Sequence, residues 1–163
     1  MEQSRARRRR SSGFSLIELL IVIAIILIIL TIAVPKMGVA QMNAREMAVV
    51  REVQTVNTAQ AQYMSQFGKF AATMAELGPP ASGGPGPSAA DLIPGSLAVG
   101  DKDGYTFTLA ATPSGYTLNA NPKVFNSSGR RTFYSDQNMI IHQNWSAEPA
   151  NASSPELGST SSK

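Results

Sequence analysis

The sequence contains no cysteine, one histidine and one tryptophan, and only 15% of its 163 residues are charged. The missing cysteines exclude disulfides, thiolate metal sites and cysteine nucleophiles. They do not exclude an oxidising compartment, because such a space does not require cysteine. With His142 as the only imidazole, a multi-histidine metal site is excluded, and histidine-based catalysis would rest on that residue alone. No Gly-x-Ser-x-Gly elbow is present. The sequence therefore gives no reason to expect an enzyme or a bound cofactor. At 17.3 kDa, the chain has room for one domain plus an appendage.

The net charge of +3 suggests a nucleic-acid partner only until it is located. Arg5, Arg7, Arg8, Arg9 and Arg10 supply most of it, and beyond residue 13 acidic and basic residues nearly cancel. A short basic run is also a topology signal when an apolar segment follows. One does. Between Phe14 and Val34 only Ser15, Glu18 and Thr31 are not apolar, and Leu19–Leu30 is uninterrupted. As a helix the stretch spans about 31 Å, close to the hydrocarbon thickness of a bilayer. It is apolar on every face, so it needs lipid or other helices on all sides. The preceding arginines place the N-terminus in the cytoplasm and the rest of the chain outside.

Three readings share this pattern. A cleaved secretory signal has a shorter apolar core and a small-residue site soon after it; Gly38-Val39-Ala40 stands too far along. A plain signal anchor explains length and orientation but not Glu18, whose ionised carboxylate costs about 2.5–3.5 kcal/mol near a bilayer centre and less near its surface. The third reading comes from the neighbours of Glu18. Gly13-Phe14-Ser15-Leu16-Ile17-Glu18-Leu19-Leu20, after a basic leader and before an apolar helix interrupted by Pro35, resembles the processing and methylation signal of the type IV pilins and type II secretion pseudopilins.

That resemblance implies a fate for the chain. A prepilin peptidase would cut between Gly13 and Phe14 and N-methylate Phe14, discarding residues 1–13. Glu18 would pair with the Phe14 ammonium of a neighbouring copy in a filament, and Pro35 would mark a soft spot in assembly. The implied partners are further copies, other pilin-like subunits, the peptidase, an inner-membrane assembly platform and, before assembly, the bilayer; nucleic acid is not among them. The implied location is the bacterial inner membrane, crossed once with the C-terminal part periplasmic, and then the filament, a surface pilus or a secretion pseudopilus. A reading of another class is a monomeric membrane anchor carrying a small periplasmic binding domain.

Downstream, residues 36–67 contain no proline or glycine after Gly38. Val49, Val53, Val56, Tyr63 and Phe67 recur at spacings of three and four, with Gln60 in the vacant place, which predicts one buried helical face. Glu46, Arg51, Glu52, Gln54 and Asn57 fall mostly elsewhere. One long helix is expected, Phe14 to about Gln66, with 14–35 as transmembrane half and 36–67 as amphipathic stalk. Residues 68–104 read as a variable, surface-exposed loop region that includes a short helical turn within Lys69–Leu77 and four glycines and four prolines in Gly78–Pro87.

Residues 105–145 read as a small antiparallel sheet. Tyr105–Ala110 and Tyr116–Ala120 form one hairpin around Thr112-Pro113-Ser114-Gly115; Arg131–Ser135 and Met139–His142 form another around Asp136-Gln137-Asn138. The fold class is therefore α+β, a long N-terminal helix packed on that sheet, the pilin-like arrangement. Residues 146–163, rich in Ser, Ala and Pro without apolar period, read as a disordered tail, with Trp145 anchoring the last strand before it.

Other chemistry is faint. Asp101-Lys102-Asp103-Gly104 has the opening of a calcium loop without its later ligands. Lys123, Arg130 and Arg131 make a small basic patch. Asn126, Asn144 and Asn151 begin Asn-x-Ser sequons, which matter only beside a glycosylating pathway.

Overall fold

The computed structural model describes residues 14–159; within that range, the side chains of residues 33–37 fall outside the description. The leader expected at 1–13, Gly13 included, and the last residues of the tail lie outside the described residues. The chain divides into two units, residues 1–37 and 38–163, and each is described by itself. Helix α1, Leu16–Phe67, contributes to both. Pro35 and Gly38 do not end it.

In the second unit, α1 stops where the sequence stops favouring it. Gly68 has φ 70° and donates its N–H to Met64 O at 2.9 Å, a left-handed C-terminal cap that a side chain would strain. Two short helices follow, α2 (Met74–Leu77) and α3 (Gly95–Ala98). Thr73 caps α2 by accepting from Glu76 N–H. Then comes a five-stranded antiparallel meander in the order β1-β2-β3-β4-β5: β1 (Asp101–Lys102), β2 (Tyr105–Thr112), β3 (Gly115–Pro122), β4 (Thr132–Asp136) and β5 (Ile141–Asn144).

The α+β class holds, with these differences from expectation. The sheet has a fifth strand. Asp103 (φ 52°) and Gly104 (φ 79°) are the two central residues of a tight hairpin that pairs Lys102 with Tyr105, the Asp-Gly turn that favours such a connection. The turn after β4 runs longer than expected: Met139 takes φ 61°, and β5 starts at Ile141 opposite Ser135. The region 68–104 is not simply surface loop, since Ala71, Met74, Leu77, Ala90, Ile93 and Leu97 are buried. The expected disordered tail is corrected over its described part, 146–159. Ala150 is buried, and Leu157 N–H donates to Ile141 O at 2.7 Å.

The core lies between the inner face of α1 and one face of the sheet. Val49, Val53, Val56 and Tyr63 meet Tyr105, Phe107, Leu109, Leu118, Ala120 and Phe133 in one buried cluster. The helical row is longer and more polar than the sequence reading had it. Glu46, placed elsewhere by that reading, is 1% exposed and sits three residues before Val49 in the same row. Asn57 is also buried; its Nδ2 donates to Ser135 Oγ at 2.8 Å, and its Oδ1 accepts from Tyr116 OH at 3.0 Å. Gln60 fills the vacant place by closing two hydrogen bonds on one residue. It donates to Ala71 O and accepts from Ala71 N–H, both at 2.9 Å, and so ties the chain leaving α1 back onto the helix.

Two expectations follow. Gln60→Leu completes the apolar row, yet it should lower stability by about 1–3 kcal/mol, because both main-chain groups of Ala71 lose their partners in the core; an unchanged urea midpoint would refute that bookkeeping. The second concerns alkali. Burial pushes the hydroxyls of Tyr63, Tyr105, Tyr116 and Tyr134 up from their ordinary value, and Glu76, Glu46 and Asp136 nearby push the same way. The unfolded chain releases these protons near pH 10 while the folded chain keeps them, so this contribution is complete below about pH 10 and is lost above it. Unfolding midpoints should fall with rising pH in that window, and tyrosinate absorbance should appear together with unfolding rather than before it.

Candidate processing and assembly site

The residues singled out at the N-terminus occupy the first described turn. Phe14 and Ser15 precede α1, and Phe14 is 80% exposed. Ser15 O accepts from Glu18 N–H at 3.1 Å and from Leu19 N–H at 3.2 Å, so Ser15 opens the helix and Glu18 stands in its first turn. Ser-x-x-Glu is the spacing of a capping box, a local signal the sequence reading passed over. It gives Glu18 a use inside the chain: a carboxylate at a helix N-terminus is stabilised by about 0.3–1 kcal/mol through the peptide dipoles. Among the described residues no cation lies within ion-pair distance of Glu18.

Around it, Leu16, Ile17, Leu19, Leu20, Ile21 and the apolar residues onward to Ile32 are exposed. Their surface runs round the whole helix, far beyond the isolated apolar patches of an ordinary soluble surface. Thr31 hides its hydroxyl by donating to Ile28 O at 2.7 Å. Among the described residues no helix is long and apolar enough to cross a membrane. The expected span ran to residue 35, and the side chains of 33–37, Pro35 included, lie outside the described residues.

The other candidates are occupied with structural work. Asp101 accepts from Thr106 Oγ1 at 2.9 Å and pairs with Lys123 Nζ at 3.1 Å; these contacts, the Thr106 bond first, hold its carboxyl below the usual range. Asp103 belongs to the tight turn. Among the described residues no group of three or more His, Asp or Glu could hold a metal ion. His142 has Nδ1 2.7 Å from Ser154 O.

The basic patch is divided among partners. Lys123 serves Asp101. Arg131 donates from Nε to Glu46 at 2.7 Å and from Nη1 to Gln143 at 2.9 Å, and its guanidinium lies 4.9 Å from the Trp145 ring centroid. Arg130 gives its backbone N–H to Glu46 at 2.6 Å and Nη2 to Asn43 at 3.0 Å. Glu46 therefore receives donors from two consecutive residues on both of its oxygens, which is what a buried carboxylate requires. Trp145 remains 61% exposed and holds the end of β5 by stacking on Arg131.

Comparison with known proteins bears on the first cluster. Residues 8–34 match the prokaryotic N-terminal methylation motif, the type IV pilin and pseudopilin signature, and the match takes in Gly13, Phe14 and Glu18. No curated protein and no solved structure matches the chain. The motif indicates prepilin-type processing and is typical of membrane-anchored, exported pilin-like proteins.

Proposed function

We propose that this protein is a structural subunit of a type IV pilus-like filament. Its precursor sits in the bacterial inner membrane with the leader in the cytoplasm and residues 38–163 in the periplasm. Prepilin peptidase cuts between Gly13 and Phe14, and Phe14 is N-methylated. The observation that carries the reading is the all-round apolar surface of Leu16–Ile32 lying inside the matched methylation motif. Such a surface is stable in lipid or among like helices and nowhere in water.

The chemistry of the helix start supports polymerisation. Phe14 and Ser15 stand outside the helix and are exposed, so the mature side of the cut is open to a peptidase. Cleavage removes the leader arginines and creates a new ammonium on Phe14. The carboxylate of Glu18, four residues away, then takes the Phe14 ammonium of a neighbouring copy. Two opposite charges in a low-dielectric setting offset part of each other's desolvation, and the pairing fixes the axial offset between subunits. Pro35 supports adjustment of the rod, because it offers no N–H to the carbonyl of Thr31. Surface pilus and secretion pseudopilus are built on the same polymer and share this chemistry.

Two measurements test the reading. Mass spectrometry of the native chain should find it beginning at N-methylated Phe14; an intact leader instead identifies the monomeric anchor. Glu18→Gln keeps the capping-box spacing and removes the charge. If Glu18 serves assembly, Glu18→Gln and Glu18→Ala should both be inserted and cleaved yet be lost from sheared fibres. If its role is only to start the helix, Glu18→Gln assembles normally, and the charge-pairing proposal fails.

A further inference from the structure

β5 is the outer strand of the sheet, and such an edge presents backbone donors and acceptors to any strand that reaches it. Here those groups are already taken by the chain's own C-terminal segment. Gln143 N–H donates to Pro155 O at 2.8 Å, and Leu157 N–H donates to Ile141 O at 2.7 Å, with His142 opposite Glu156 in an antiparallel bridge. Side chains of the sheet hold the main chain of the same segment. Asn119 Nδ2 donates to Ala150 O at 2.9 Å, Thr132 Oγ1 to Glu148 O at 2.9 Å and Asn144 Nδ2 to Glu148 O at 3.3 Å. Leu157 packs at the margin of the core, on a cleft it shares with Met47, Val50 and Arg131.

We propose that residues 146–159 are an edge guard, a strap that keeps the β5 edge of one copy from pairing with the β5 edge of a second copy. The two edges of the sheet are unequal. At one edge β1 is two residues long and pairs with Tyr105 and Thr106 of β2; at the other, β5 is four residues long, and the outward main-chain groups of Ile141 and Gln143 are the ones the strap takes. The strap is held largely through its own carbonyls, with Ala150 and Leu157 as its apolar anchors. A segment with so little apolar burial opens at lower free energy than the core, so the guard is detachable while the sheet stays folded. A second copy is the committed occupant, because its β5, once released from its own strap, offers the same Ile141 and Gln143 groups in the antiparallel sense that a two-fold contact requires. The strap and the strand it covers both lie within residues 38–163, so this role is independent of filament formation.

The absence of cysteine makes the test clean, since any disulfide between chains reports the position where a cysteine is placed. The full chain carrying His142→Cys, in detergent under mild oxidation, should stay without interchain disulfide. The same substitution in a chain ending at Trp145 should shift to the cross-linked dimer. Both share the N-terminal helix, so proximity through that helix is common to the two arms. Should truncation disturb the sheet by circular dichroism, Leu157→Pro in the full-length His142→Cys chain removes one edge hydrogen bond and one anchor and should also give the dimer. Adding Glu156→Cys to that variant offers an intrachain disulfide across the antiparallel bridge, where opposed Cα atoms lie about 4.5–5.5 Å apart, and should abolish the dimer. Folded, released chains that remain monomeric, or an intact chain that cross-links equally well, would overturn the proposal.

Discussion

The row of inward side chains from Glu46 to Phe67, spaced three and four apart along α1, is the contact on which the domain is built. Its valines and Tyr63 supply the apolar area, but aliphatic side chains alone would accept a helix slid by one turn. Glu46, Asn57 and Gln60 do not. Each has a specific partner in the sheet or the following loop: Arg131, Ser135 and Tyr116, and Ala71. A slip of one turn would leave a carboxylate and two amides buried without partners, and an unpaired buried charge costs about 3–5 kcal/mol. The polar members of the row set the register, and the apolar members supply most of the favourable burial.

This division explains which parts of the fold could be read from the sequence. The helix, its cap at Gly68 and the first hairpin around Pro113-Ser114 are local patterns, and their residues spell them out. Glu46 and Asn57 escape a reading that equates polarity with exposure, although the spacing of Val49, Val53 and Val56 continues back to Glu46. The Asp103-Gly104 turn is equally local, but the strand before it is two residues long, too short to show the alternation by which a strand is recognised. The shift of β5 has a different cause. It depends on Met139 adopting a left-handed conformation uncommon for its type, which no pattern of neighbours announces.

The C-terminal segment was beyond reach for a further reason. Its Ser, Asn and Pro content is that of a disordered tail, and nothing within it supplies a core. Its order comes from donors far back in the chain, at Asn119, Thr132 and Gln143, and these hold main-chain carbonyls that every sequence possesses. Composition measures what a segment can bury. It does not measure what the rest of the molecule can do for its backbone.

Two of the acids on this helix, Glu18 and Glu46, have opposite circumstances. Glu46 is satisfied within the chain, by a guanidinium and by a backbone N–H. Glu18 has the helix dipole and, among the described residues, no cation. The abundant positive charge near it in sequence belongs to the basic leader, and the proposed cleavage would remove that leader and expose a single ammonium at Phe14. In the proposed filament that ammonium would stand at the head of the same apolar rod, and each acid would find its counter-charge on a neighbour. The motif is legible in one chain because cleavage is a local event. The pairing is not, because its geometry exists only between chains.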